Sequence, residues 1–137
     1  MSPPCTMLSA LQNLNKGKRD EEQFQEKYRE AVLCVRYAAR VAKIQLDRGR
    51  HFYLEHPLTS QIWNLPEIRR LLKHPRVKKI TFDMCAHGMR APSGDTALKK
   101  GTAVLTTLEH TEPLEKSCPK DHEHTTSGLA SRHSRQA

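Results

Sequence analysis

The chain has 137 residues, 36% of them hydrophobic, and carries a formal net charge of +8 at neutral pH. This length allows one small domain, and the charge fits either a polyanionic partner such as nucleic acid or a solvated basic surface. Because the sequence has no apolar leader and no run of about 18 apolar residues, it predicts neither a signal peptide nor a membrane span.

The first predicted element is a long helix over residues 21–48. Asp20 stands where an N-cap belongs, and apolar residues then recur at steps of three and four from Phe24 to Leu46. Gly49 follows at the position of a C-terminal cap. The later predicted elements are a buried strand at 51–55, a helix at 66–73, a strand at 77–82 and a third strand at 102–108.

The order of these elements predicts the fold class. Strands that are joined by helices are expected to pair in parallel through right-handed crossovers. The sequence therefore predicts an α/β fold that forms only the C-terminal half of a doubly wound, Rossmann-like parallel sheet. This unit would span residues 1–109, and the polar stretch 110–137, rich in Ser, Thr, His and Arg, would be a mostly disordered tail.

Two side chains are candidates for acid–base or nucleophilic chemistry. Cys5 follows Pro3-Pro4 in a stiff turn, and a thiol acts as a nucleophile only as the thiolate. Glu55 ends the first predicted strand, and the carboxyl ends of parallel strands are where such sheets bind ligands. Taken singly, an incidental cysteine and an ordinary polar strand end explain these residues as well.

A third candidate site is a metal cluster near the end of the chain. Cys118, His122 and His124 have the spacing Cys-x3-His-x-His, and their side chains are ligands that suit zinc. A fourth ligand would have to come from Cys85 or His87, and a solvated polar tail is the alternative. The cysteines are widely spaced and form no Cys-x-x-Cys pair. The sequence therefore predicts a reduced, intracellular protein, in the nucleus or the cytoplasm.

Basic residues in two places are candidates for contact with nucleic acid. Lys99 and Lys100, with Thr102, precede the third predicted strand and could contact phosphate, although a plain solvated turn explains them equally well. Arg40 and Lys43 lie outside the apolar stripe of the long helix, so their charges would face solvent. Together they predict a surface for DNA.

Several of these motifs resemble one family as a set. Methyltransferase-like domains of phages and of Copia-type retrotransposon polyproteins, which are similar to cytosine-5 DNA methyltransferases, share motifs at residues 2–9, 52–57, 83–85, 99–102 and 118–124. The resemblance implies that Cys5 is the nucleophile that attacks carbon six of a flipped cytosine, and that Glu55 contacts the ring of the same base.

The resemblance also implies a cofactor and an origin. In the family, the glycine-rich loop that binds S-adenosylmethionine lies upstream of the Pro-Pro-Cys turn, and this chain begins after it. We therefore expect a truncated, inactive fragment of a DNA cytosine methyltransferase-like domain of mobile-element origin, which does not bind S-adenosylmethionine. The alternatives are a non-enzymatic, basic nucleic-acid-binding remnant and a small zinc-binding module.

Overall fold

Helix α1 (Glu21–Asp47) is the longest element of the computed structural model, which describes residues 1–4, 8, 20–91, 94 and 96–126. The Asp20 carboxylate caps it by accepting hydrogen bonds from the backbone N–H groups of Glu22 at 3.0 Å and Gln23 at 3.2 Å. Gly49 follows with a left-handed φ of +67°, a conformation that favours glycine. The predicted helix is therefore confirmed.

One face of α1 packs on a sheet and on a second, short helix. The sheet contains β1 (Tyr53–Pro57), β2 (Lys78–Asp83) and β4 (Gly101–Thr106), and the short helix is α2 (Pro66–Leu72). Small residues allow α1 to approach these elements closely. The buried residues of α1 are Ala31, Val32, Val35, Ala38, Ala39, Ala42 and Leu46.

The sheet is antiparallel, so the predicted doubly wound parallel sheet is wrong. Its strand order is β1-β4-β2, and β4 runs antiparallel to both neighbours, with Leu105 opposite Leu54 and Val104 opposite Ile80. Strands β1 and β2 are joined through α2 and run in the same direction, but they do not pair. Among the described residues between β2 and β4 there is no α-helix, only the short 3-10 turn Met84–His87 and a short strand. The chain therefore returns without a helical crossover, and β4 runs between β1 and β2 in the opposite direction. The fold is a small α+β structure.

A second, two-stranded sheet lies beyond the end of β2. Its strands β3 (Ala97–Lys99) and β5 (His124–Thr126) pair in parallel. Leu114 packs against the face of the main sheet that is opposite to α1, and the Asp83 N–H donates to the Lys116 carbonyl at 2.9 Å. The part of the predicted disordered tail up to residue 126 therefore has defined structure. Residues 127–137 lie outside the described part, and the domain boundary at 109 stays a prediction.

The helices are too short or too polar to cross a bilayer. Among the residues that the structure describes, no helix combines the length and the apolar character that a membrane span requires.

Candidate metal centre

Four side chains converge just beyond the carboxyl end of β2. Cys85 lies on the 3-10 turn Met84–His87 that follows the strand, and Cys118, His122 and His124 come from the segment that leads into β5. The Asp83 carboxylate accepts a hydrogen bond from the Cys118 N–H at 2.8 Å and so holds the two segments together. Cys85 is buried and the other three are partly exposed.

Two sulfur–nitrogen distances within this Cys2His2 cluster match those of a tetrahedral metal site. The two sulfur and two nitrogen atoms that could act as ligands all lie within 4.8 Å of one another. Cys118 Sγ lies 3.6 Å from His122 Nε2 and 3.3 Å from His124 Nε2. A tetrahedral zinc ion with ordinary Zn–S and Zn–N bonds separates sulfur from nitrogen by about 3.5 Å. The cluster could therefore hold a metal ion with little rearrangement.

Neighbouring groups orient two of the four ligands. Asp121 Oδ1 lies 2.7 Å from His122 Nδ1, so this nitrogen donates to the carboxylate and leaves the lone pair of Nε2 for a metal. The Lys120 N–H donates to Cys118 Sγ at 3.3 Å, which helps to fix the position of the sulfur. Lys120 has a left-handed φ of +60°, which is uncommon outside glycine and is often found near functional sites.

The charges around Cys85 also favour a cation. Burial raises the pKa of the Cys85 thiol, and the neighbouring Cys118 and Asp83 raise it further. The surroundings of Cys85 therefore disfavour a thiolate at this position. A divalent cation reverses this balance, because it stabilises every thiolate that coordinates it.

The structure distinguishes between the two residues that could supply the fourth ligand. His87 Nε2 lies 2.8 Å from the Leu114 carbonyl oxygen, and its ring makes an edge contact with Phe82. His87 is therefore engaged with the C-terminal segment, whereas Cys85 joins the cluster. Both residues belong to one turn of the chain, so the sequence alone left the choice open.

Of the two residues predicted to act on a nucleobase, Cys5 and Glu55, the structure describes only Glu55. Cys5 lies outside the described residues, so its convergence with Glu55 stays a prediction. Glu55 lies in the middle of β1, where its Oε2 accepts from the Ser2 hydroxyl at 2.7 Å. Met1 flanks the same strand, because its carbonyl accepts from the Glu55 N–H at 2.9 Å.

One buried histidine was not singled out from the sequence. His56 is fully buried on β1, and within the described residues neither ring nitrogen has a hydrogen-bond partner. Burial lowers the pKa of His56, although the carbonyls of Pro4 and Pro3 and the Glu55 carboxylate oppose this shift. Nothing in the sequence singled out His56, since a lone histidine is common in loops as well as in cores.

The predicted nucleic-acid contacts fall into two groups on different elements. Lys99 and Lys100 lie where β3 leads into β4, whereas Thr102 is buried and donates to the Lys100 carbonyl at 3.4 Å. Arg40 and Lys43 are exposed on α1, and Lys43 Nζ lies 3.2 Å from the Asp47 carboxylate. Contact of these residues with DNA stays a prediction.

Fold and site together define a small α+β protein with a Cys2His2 cluster that could hold a metal ion. Comparison of the chain with protein-family models, curated proteins and solved structures found no match. Membership of the methyltransferase-like family therefore stays a prediction, and nothing in the described residues supports binding of S-adenosylmethionine.

Proposed function

We propose that this chain is a small zinc-binding module in which Cys85, Cys118, His122 and His124 hold one structural zinc ion. The observation that carries the proposal is the mutual distance of their four ligand atoms, within 4.8 Å. Zinc accepts thiolate and imidazole ligands together in a tetrahedral arrangement. Magnesium and calcium prefer oxygen ligands, so this donor set argues against them.

The ligand count favours a structural role for the metal over a catalytic one. Four protein ligands complete a tetrahedral zinc site and leave no position for water or substrate. A catalytic site ordinarily has three protein ligands and one open position. The proposed zinc ion is therefore a cross-link within the chain.

The fold contains a segment that needs such a cross-link. The second face of the sheet has only a small apolar cluster, in which Ile80, Phe82 and Val104 are buried and the partly buried Tyr53, Met84 and Leu114 pack against them. A cluster of this size stabilises a segment only weakly. A zinc ion that joins Cys85 to the ligands around β5 would fasten this segment to the end of β2.

Zinc content measured in matched variants tests the proposal. Protein purified without added metal is expected to contain about one zinc ion per chain by mass spectrometry of the metal. The Cys118→Ser variant should lose nearly all of it, because a hydroxyl is a poor zinc ligand. Cys34→Ser is the control, since Cys34 is exposed on α1 and its loss removes a thiol without touching the cluster.

Two results would contradict the proposal. Zinc-free wild-type protein that also fails to bind added zinc would remove it. Equal zinc content in the Cys118→Ser and Cys34→Ser variants would show that the metal binds elsewhere.

A further inference from the structure

A cleft between α1 and α2 lies on a part of the fold that the metal centre does not use. It has a volume of about 310 Å³. Its floor is apolar and contains Ala39, Leu46 and Leu71, three side chains that are buried in the core. This volume lies at the lower end of the range for ligand pockets, so the cleft has room for one ring system but not for a larger ligand.

The rim of the cleft is cationic. Arg36, Arg40, Lys43 and Arg70 line it, and two of these cations pair with acidic residues of the lining, Lys43 with Asp47 and Arg36 with Glu67. Within the described part of the chain, Arg40 and Arg70 have no ion-pair partner. Two free guanidinium groups beside an apolar floor are suited to the phosphates that flank an inserted ring.

An unsatisfied acceptor lies in the wall of the same cleft. Glu67 Oε1 forms an ion pair with Arg36 Nε at 3.1 Å across the two helices. Its second oxygen, Oε2, is buried and has no hydrogen-bond partner among the described residues. A buried acceptor without a donor is costly, so the cleft is suited to a ligand that presents an N–H group.

We propose that this cleft binds one unpaired base of a single-stranded nucleic acid. The base ring covers the apolar floor, and the flanking phosphates contact Arg40 and Arg70. The exocyclic amino group of the base donates to Glu67 Oε2, which is buried in the free protein, after the Glu67 side chain turns toward the ligand. An acidic peptide would also use the cationic rim, but its side-chain carboxylates offer no N–H group to the Glu67 acceptor. The net charge of +8 also attracts a polyanion over a long range.

The contribution of the rim to binding can be tested by adding the protein to a short, fluorescein-labelled single-stranded DNA and measuring the affinity by fluorescence anisotropy. Arg70→Ala is expected to weaken binding about tenfold and to flatten its salt dependence, because a phosphate contact is lost. Arg69→Ala is the matched control. It removes the same charge from the neighbouring position of α2, but Arg69 reaches only Asn64 and does not line the cleft. Arg70→Lys should restore part of the affinity, because it restores the charge.

The role of Glu67 Oε2 as an acceptor is tested by changing the bases of the DNA strand. Cytosine carries an amino group where thymine carries a carbonyl oxygen, so oligo-dC should bind several-fold more tightly than oligo-dT. The Glu67→Met variant should abolish this preference while retaining the rim charges. Arg70 and Glu67 are not metal ligands, so loss of zinc binding would leave this test intact.

Three outcomes would overturn the inference. Equal losses in Arg70→Ala and Arg69→Ala would mean that only bulk charge attracts the strand. Equal affinity of the wild type for oligo-dC and oligo-dT would remove the role of Glu67. A polyglutamate peptide that displaces the strand at a similar concentration would assign the cleft to acidic proteins instead.

Discussion

Removal of zinc by a chelator is expected to release the segment that carries β5 and to lower the free energy of unfolding substantially. A ligand that binds only the folded state stabilises it by roughly 4 kcal/mol when its free concentration is about a thousandfold above its dissociation constant. Structural zinc sites reach such affinities readily. The core on the α1 side of the sheet contains no ligand of the cluster, so this side is expected to remain folded.

Thermal unfolding and hydrogen exchange measure this effect at two levels. We expect a lower Tm in excess chelator, and faster exchange at the N–H groups of Asp83 and Cys118, whose acceptors lie across the two segments. Cys118→Ser supplies the control, because its Tm should not respond to chelator. A wild-type Tm that is the same with and without chelator would contradict the prediction.

Truncation of the central strand is expected to have the second large effect. Leu105 lies on β4 and is fully buried in the core between the sheet and the helices. Replacing it with alanine removes buried methyl groups and leaves a cavity, which costs about 3 kcal/mol in comparable cores. Leu108→Ala is the control, since Leu108 is 39% exposed and its truncation should cost less than about 1 kcal/mol.

Urea denaturation of both variants, with and without chelator, tests whether the core and the metal centre are separate. Distant sites have additive effects on the free energy of unfolding within about 0.5 kcal/mol. The cost of Leu105→Ala should therefore be the same in both conditions. Equal costs for Leu105→Ala and Leu108→Ala would contradict the position of Leu105 in the core.

Local signals in the sequence were enough to predict the two α-helices and the three strands of the main sheet. The Asp20 cap and the apolar periodicity predicted α1, and Pro66 predicted the start of α2. The three strands of the main sheet also lie within a few residues of their predicted bounds. These features depend on neighbours along the chain, so the sequence contains them directly.

The pairing of the strands could not be predicted in the same way. Periodicity identifies a strand but does not name its partner. The described part of the connection between β2 and β4 contains no α-helix, which favours antiparallel return over a crossover. The order of helices and strands favoured parallel pairing through crossovers instead, and that prediction is wrong. The β3–β5 pair was also missed, because each strand has only three residues and β5 contains no apolar one.

The Cys2His2 cluster that could hold a metal ion was predicted in part. Cys118, His122 and His124 were recognised from their spacing, because all three lie close together in the chain. The identity of the fourth ligand depends on tertiary structure. His87 contacts the Leu114 carbonyl, whereas Cys85 lies in the cluster. The cleft between α1 and α2 was not predicted at all. Its floor and its rim come from helices that are far apart in sequence.

X-ray absorption at the zinc edge tests the central claim most directly, because it reports which atoms surround the metal. For protein purified with its native metal, we predict two sulfur ligands at about 2.3 Å and two nitrogen ligands at about 2.0 Å. A zinc ion surrounded only by nitrogen and oxygen, or by four sulfur atoms, would contradict the assignment of Cys85, Cys118, His122 and His124.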